Sequence, residues 1–402
     1  MKKKTIVLAL ASAMLMAALT GCSGSSAETE APAETAAATE AAQAEAEAGE
    51  EAAEAEEAEA AGEGIQGKFL YIITDNLGDM GFRDNGLYGV QNVCETYGCE
   101  YDVIELGADK STYENAFADA CDSGEYTYLV TCSNGGMSDL VMKYAPDYPE
   151  MRFVTFDVGA TTEVTADNVC AINYRQNEGA YLAGVLAASI SDTQKIGAWV
   201  FNEVPIGHDF VTGYVDGARA VNPDIDITVS YGSGAVNIGK TQEVTGTMFD
   251  SGIDTVFNVQ GSTTSGAATA CYDRGGLDAG LAVIGVDSDQ YTVYTTTDST
   301  LKDAATTIVT SMLKDVTYSL EYLFAGIEDG SIQWGNLVSF GLAEKSVCLA
   351  DNEHFEEVVP AEVHAVLDEY TEKIANGEIE PKGFFTTFDS DVAAFEEWRD
   401  NG

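Results

Sequence analysis

"KFLYIITDNLGDMGFRDNGLYGVQNVCETYG" occupies residues 68–98, and its reading decides the fold. "KFLYIIT" is a short continuous apolar run of strand length. "NGLYGVQNVCETYG" is a helix that stops at Gly98, a residue suited to the left-handed position after a helix. A buried strand followed by one helix is the repeating unit of a parallel sheet.

The unit recurs on both sides of the middle of the chain. "YDVIELG", "YTYLVTC" and "MRFVTFD" read as strands, with "STYENAFADACDSG" and "MSDLVMKYAPDYP" as the helices between them. A second set follows, with strands "KIGAWVF", "DITVSYG", "DTVFNV" and "LAVIGVD" and helices "DFVTGYVDGARAVNP", "TQEVTGTMFDSG" and "SGAATACYDRG". Single helices between strands predict an α/β protein with helices on both faces of parallel sheets. Ligands of such open sheets sit beyond the carboxyl ends of the strands. Residues 65–402 number 338, enough for about two domains.

Upstream, the chain opens "MKKKTIVLALASAMLMAALTGC". Lys2, Lys3 and Lys4 form a basic start, and the uncharged stretch after them is shorter than the roughly twenty residues of a membrane span. Residues 1–21 therefore read as a signal peptide. The small residues before Cys22 resemble the lipobox of bacterial lipoproteins. That resemblance implies a lipidated Cys22 and a protein tethered to the outer face of the cytoplasmic membrane. Residues 22–64 are almost only Ala, Glu, Gly, Ser and Thr, with no aromatic side chain. Such a segment buries too little to offset the cost of ordering its backbone, and is expected to be a solvated acidic stalk.

Thirteen of the 67 acidic residues and three of the 19 basic ones precede Ile65, leaving 54 against 16, a balance of −38. So acidic a domain is an unsuitable partner for nucleic acid or an anionic membrane surface. Besides Cys22 there are seven cysteines, an odd number, most of them inside apolar runs where a thiol behaves as a small hydrophobe. Spacing leaves a Cys94–Cys99 bridge open. No Cys-x-x-Cys occurs, and neither a metal site nor a cofactor is expected.

One stretch points elsewhere. "GAVNIGKT", residues 234–241, matches the fixed positions of the phosphate-binding loop G-x-x-x-x-G-K-[ST]. The strand before it, "DITVSYG", alternates polar and apolar residues rather than being wholly buried. The alternative is a plain loop joining that strand to a helix near Thr241, with Gly234 and Gly239 making the turns. On that reading "LAVIGVD" is a sheet strand whose terminal Asp287 faces the cleft. No H-E-x-x-H or G-x-S-x-G is present. His208, His354 and His364 lack motif partners and read as surface residues. No enzymatic activity is expected.

Several stretches, taken in order, resemble the basic membrane protein family of ABC-transporter substrate-binding lipoproteins. They are "LGDMGFRDNGLYGV", "YPEMRFVTFD", "INYRQNEGAYLAGVLAA", "GARAVNPDI", "IGVDSDQ" and "STLKDAATTIVTSMLKDV". The resemblance implies a type I periplasmic-binding-protein fold, two Rossmann-like parallel-sheet lobes joined by a hinge. It also implies a binding role, with Phe82 stacking on a nucleobase and Asp79 three residues before it. Asp157 would accept hydrogen bonds from the base, Asp287 and Lys302 would bind the sugar, and Gly261 would let backbone approach the ligand. Two positions depart from the family: Arg83 stands where it often has Asn, and the loop 232–241 lacks its second aromatic. Val236, Trp199 or Phe201 are the candidates to replace that aromatic.

The expected organisation is an N-terminal lobe of residues 65–174 plus about 301–333 and a C-terminal lobe of residues 175–300 plus about 334–402. The expected function is that of an extracytoplasmic, monomeric solute-binding lipoprotein of an ABC importer. It would hold a small polar ligand, a purine nucleoside by resemblance, and dock on permease subunits. Two alternatives keep different tasks open: a sugar or signal receptor docking on a membrane sensor kinase, and an extracellular enzyme using "GAVNIGKT".

Overall fold

The computed structural model describes residues 64–78, 81–297 and 300–401. The signal segment, Cys22, Asp79 and the stalk up to Glu63 lie outside the described residues.

The first βα set forms β1 (Lys68–Ile73), α1 (Phe82–Tyr97), β2 (Glu100–Glu105), α2 (Tyr113–Asp122), β3 (Tyr128–Cys132), α3 (Met137–Tyr144), β4 (Arg152–Phe156) and β5 (Val169–Tyr174). α1 does end at Gly98, whose φ is 69° and whose N–H donates to the Cys94 carbonyl. The second set runs α4 (Gln176–Ile190), β6 (Lys195–Val200), α5 (Pro205–Val221), β7 (Asp226–Tyr231), α6 (Ile238–Asp250), β8 (Thr255–Val259), α7 (Thr264–Tyr272) and β9 (Ala282–Asp287). α8 (Gln290–Thr297), α9 (Lys302–Ala305), β10 (Ile308–Lys314), α10 (Val316–Glu328), β11 (Asn336–Phe340) and β12 (Val347–Leu349) follow. The chain finishes with α11 (Glu353–Val358), α12 (Ala361–Ala375), α13 (Phe384–Thr387) and α14 (Val392–Asn401).

Two six-stranded sheets result, ordered β11-β5-β4-β3-β1-β2 and β12-β10-β9-β8-β6-β7. The two orders correspond strand for strand, so each lobe is a version of the other. Paired neighbours run parallel except β10 and β12, which are antiparallel. Central strands β3 and β8 are buried along their whole length, as strands covered on both faces must be. At the edge of the second sheet, β7 exposes Asp226 and Thr228 and has no fully buried residue.

The lobe boundaries differ from those expected. Residues from about 301 to 333 are expected in the first lobe. Lys302–Ala305 is helical, and the β-branched Ile308, Val309 and Thr310 begin β10, which pairs with β9 in the second sheet. The chain therefore enters the first lobe only after Lys314. It adds α10 beside α1 and β11 beside β5, and leaves after Phe340 rather than near Trp334. The lobes are joined three times, at Arg175, at Asp315 and through residues 341–346.

Arg175 ties the first connection to the third. Its backbone N–H donates to the Phe340 carbonyl at 2.8 Å, Nη1 to the Ser339 carbonyl at 2.8 Å, Nε to Glu178 at 2.6 Å and Nη2 to Glu344 at 2.7 Å. A Cβ at Gly341 would lie 2.2 Å from a Glu178 carboxylate oxygen and 2.5 Å from Arg175 nitrogens, so a side chain there would displace the knot. In the second lobe α4 and α5 also pack backbone to backbone. A Cβ at Gly184 would meet the Tyr214 carbonyl oxygen at 2.1 Å, and one at Gly217 the Tyr181 oxygen at 2.0 Å.

All seven cysteines of the described residues are unpaired and five are buried, so the Cys94–Cys99 bridge is absent. The surface reading fails for two histidines. His208 is buried among Tyr231, Phe384 and Phe395, and His354 stacks on Tyr291 with ring centroids 4.1 Å apart.

Candidate ligand-binding cleft

A cavity of about 640 Å³ opens between the lobes at the carboxyl ends of β1, β3, β4, β6, β8, β9 and β10. That is where the twist and strand order of open α/β sheets leave a crevice. Three aspartates line it, Asp75, Asp157 and Asp287, each closing an apolar strand, with φ of 59°, 63° and 70°. Aspartate tolerates the left-handed region better than most residues, and backbone held there is typical of binding sites. The second-lobe Asp287 needs room behind it. A Cβ at Gly261 would sit 3.0 Å from its Oδ2, so the glycine at the start of the 261–263 turn leaves space for that carboxylate.

Across the cleft, Asp157 Oδ1 accepts a 2.5 Å hydrogen bond from Lys314 Nζ, a charge-assisted contact with the lysine side chain only 3 % exposed. Asp157 is held from behind, since Ser133 Oγ donates to its carbonyl at 2.6 Å. Lys314 Nζ also lies 5.7, 5.6 and 5.1 Å from the ring centroids of Phe82, Tyr174 and Phe210, within cation–π range of all three. The lobes touch again outside the cavity, where Asn85 Nδ2 donates to Ser288 Oγ at 3.0 Å.

Phe82, the first residue of α1, is half-buried at the wall and meets Phe156 edge-on at 5.3 Å. Arg83 also lines the cavity and lies along the first lobe, with Nε donating to the Thr74 carbonyl at 3.1 Å and Nη2 to Asp75 at 2.7 Å. Among the replacements for the missing aromatic, Phe201 and Val236 line the cavity, Phe201 half-buried and Val236 63 % exposed. Trp199 does not, because it is buried and its indole N–H donates to Thr241 Oγ1 at 3.0 Å.

Of the residues expected at the site, Phe82, Arg83, Asp157, Gly261 and Asp287 come together here. Lys302 does not. It is exposed at the start of α9, beyond the amino end of β10, about 20 Å along that strand from the cleft. The lysines that line the cavity are Lys314 and, exposed, Lys110, which the sequence reading passed over together with Asp75 and Phe210. One signal marks Asp75 and Lys314. Each is a charged residue at or just beyond the carboxyl end of a buried strand, in "YIITD" and "SMLK", as Asp157 is in "VTFD".

The phosphate-loop match lacks the geometry of one. The N–H of Lys240 is capped by Asn237 Oδ1 at 2.9 Å, and its ammonium pairs with Glu243 on the surface. The hydroxyl of Thr241, which would hold a metal ion, is buried under Trp199. Among the described residues, no group of His, Cys, Asp or Glu side chains is arranged to hold a metal ion. No helix among them is long and apolar enough to cross a membrane.

Comparison with known proteins agrees with this architecture. The chain is 26 % identical over 381 residues to the CD4+ T-cell-stimulating antigen of Listeria monocytogenes serovar 1/2a, covering 94 % of this chain and 98 % of that one. It is 27 % identical to the ABC transporter nucleoside-binding protein BmpA of Lactococcus lactis subsp. cremoris, covering 74 % and 85 %. Among solved structures, an ABC transporter solute-binding protein from Aeropyrum pernix K1 superposes with a TM-score of 0.68 at 22 % identity, covering 83 % of this chain and 98 % of that one. The two-lobed architecture is accordingly the type I periplasmic-binding-protein fold. Residues 68–383 match the Bmp family model, ABC transporter substrate-binding protein PnrA-like, and the chain belongs to that family.

Proposed function

We propose that this protein is the extracytoplasmic receptor of an ABC importer, closing its lobes over a nucleoside-like ligand and presenting the closed form to a permease. The observation that carries the reading is that one cavity is bordered by half-buried Phe82 from the first lobe and Phe201 from the second, with Asp157, Lys314 and Asp287 as charged groups. A flat base gains by stacking on such rings, and a ribose diol is well served by a carboxylate. A ligand touching both lobes favours the closed state over the open one by its differential contacts. Lipid on Cys22 and a monomeric state belong to the same reading.

The test is calorimetric titration of the purified protein with adenosine, inosine, guanosine, cytidine, uridine, the free bases and ribose. One-to-one binding of a nucleoside, weakened by Phe82→Ala and by Phe201→Ala, is the expected result. Silence across the panel would reject nucleosides while leaving family membership intact.

A further inference from the structure

The segment after α12 is pinned to the second lobe yet reaches the first. Lys382 engages Asp216 through its N–H at 3.0 Å and through Nζ at 2.5 Å, and the N–H of Phe384 donates to Asp209 at 2.7 Å. Further on, Arg219 donates to the carbonyls of Trp398 and Arg399 at 3.1 and 2.6 Å. Asp209, Asp216 and Arg219 all belong to α5. Phe384 and Phe395 are fully buried, with ring centroids 4.9 and 4.8 Å from His208. This segment is therefore part of the second lobe's core.

Phe385 faces the other way. Its ring lies 3.8 Å from the point where a Cβ on Gly159 would stand. Gly159 belongs to the first-lobe loop that follows Asp157. Between this segment and the hinge lies a second cavity of about 670 Å³, bordered by Asn173 and Ser339 of the first lobe, Arg175 of the hinge, and Asn177 and Phe385. Asp209 borders this cavity and its neighbour Phe210 the ligand cavity, so α5 stands between the two.

We propose that residues 381–401 are a brace across the hinge, anchored on α5 and bearing through Phe385 on the first-lobe loop 158–160. Lobe rotation is absorbed at the three connections. A ring fixed to one lobe and lying beside a loop of the other limits how far the two can turn toward each other, so it disfavours the hinge angles that would drive them together. The brace thereby sets how freely the ligand-free lobes move.

The experiment is hydrogen–deuterium exchange of the full-length, ligand-free protein, compared with Phe385→Ala and Gly159→Ala. No ligand is added, so the result is independent of whether nucleosides are the cargo. Phe385→Ala is expected to speed exchange at least about fivefold, the low end of ordinary coupling between sites, in residues 157–160, 174–176 and 341–346. The anchors at Phe384 and residues 395–399 should keep their protection. Gly159→Ala adds a methyl at ordinary contact distance from the ring and should slow exchange in the same three segments. Acceleration confined to residues 381–391, or none at all, would overturn the proposal. If the substitution releases the anchors too, an unchanged hinge would overturn it equally.

Discussion

Asp157 and Lys314 stand 157 positions apart in the chain, on different lobes, and meet at 2.5 Å on the floor of the cleft. Neither charge has much water around it, at 14 % and 3 % exposure. Removing one member of such a pair strands the other. Lys314→Met should lower the free energy of unfolding by about 3 kcal/mol, measured by urea denaturation. Combining it with Asp157→Asn should cost clearly less than the sum of the single changes. Additive effects would mean that the two groups do not interact in solution.

Phe82 and Phe201 are expected to act as the apolar walls for the ligand. Replacing either by Ala should weaken nucleoside binding by about 1–3 kcal/mol, the range for loss of one base–aromatic stack. Lys302→Ala, far from the cleft, should leave the affinity within about twofold, as surface substitutions commonly do. Titration calorimetry on the three variants separates these outcomes, and a strong effect at Lys302 would contradict the location of the site.

The loop resembling a phosphate-binding motif should behave as structure. Thr241→Val leaves the buried Trp199 N–H without an acceptor and should destabilise the fold by about 1–3 kcal/mol, read by thermal or chemical denaturation. Lys240→Ala should change neither stability nor nucleoside affinity. Nucleotide hydrolysis lost in Lys240→Ala would revive the enzymatic reading.

Burial pushes the Asp209 carboxyl up to about 6 from 3.8, against the N–H of Phe384 and the amide of Gln176, which favour its ionised form. Between pH 4 and 6 the folded protein then holds a proton that the unfolded chain has released. The contribution of this group to stability therefore falls as pH rises through that window and is flat above it. Its full size is about 3 kcal/mol, two pKa units at 1.36 kcal/mol each. Asp209→Asn removes the titration. The stability of the native sequence minus that of the variant should decline from pH 4 to pH 6, and a constant difference would refute the assignment.

Much of this was legible in the chain because the signals are local. "KFLYIIT" forms a strand and the following helix stops at Gly98, since apolar runs and a left-handed glycine act within a few residues. Asp287 could be placed at the cleft because a charge ending a buried strand has one end of the sheet to face, and Asp157 because its segment resembles the family's. Lys302 was named by resemblance, in a stretch "STLKDAATTIVTSMLK" that carries two lysines. Pairing of residues 308–313 with β9, more than twenty positions upstream, brings Lys314 and not Lys302 to the cleft.

The sequence alone determined two sets of βα units, a strongly acidic domain and the family resemblance, because composition, periodicity and the order of motifs are read along neighbouring residues. Only the tertiary structure decided that Lys314 rather than Lys302 enters the cleft, where the chain crosses between lobes, and that Phe201 rather than Trp199 borders the cavity. Those outcomes depend on strand pairing and on which of two similar side chains finds a buried partner, as Trp199 finds Thr241. Such energies come from residues distant in the chain, and no local pattern carries them.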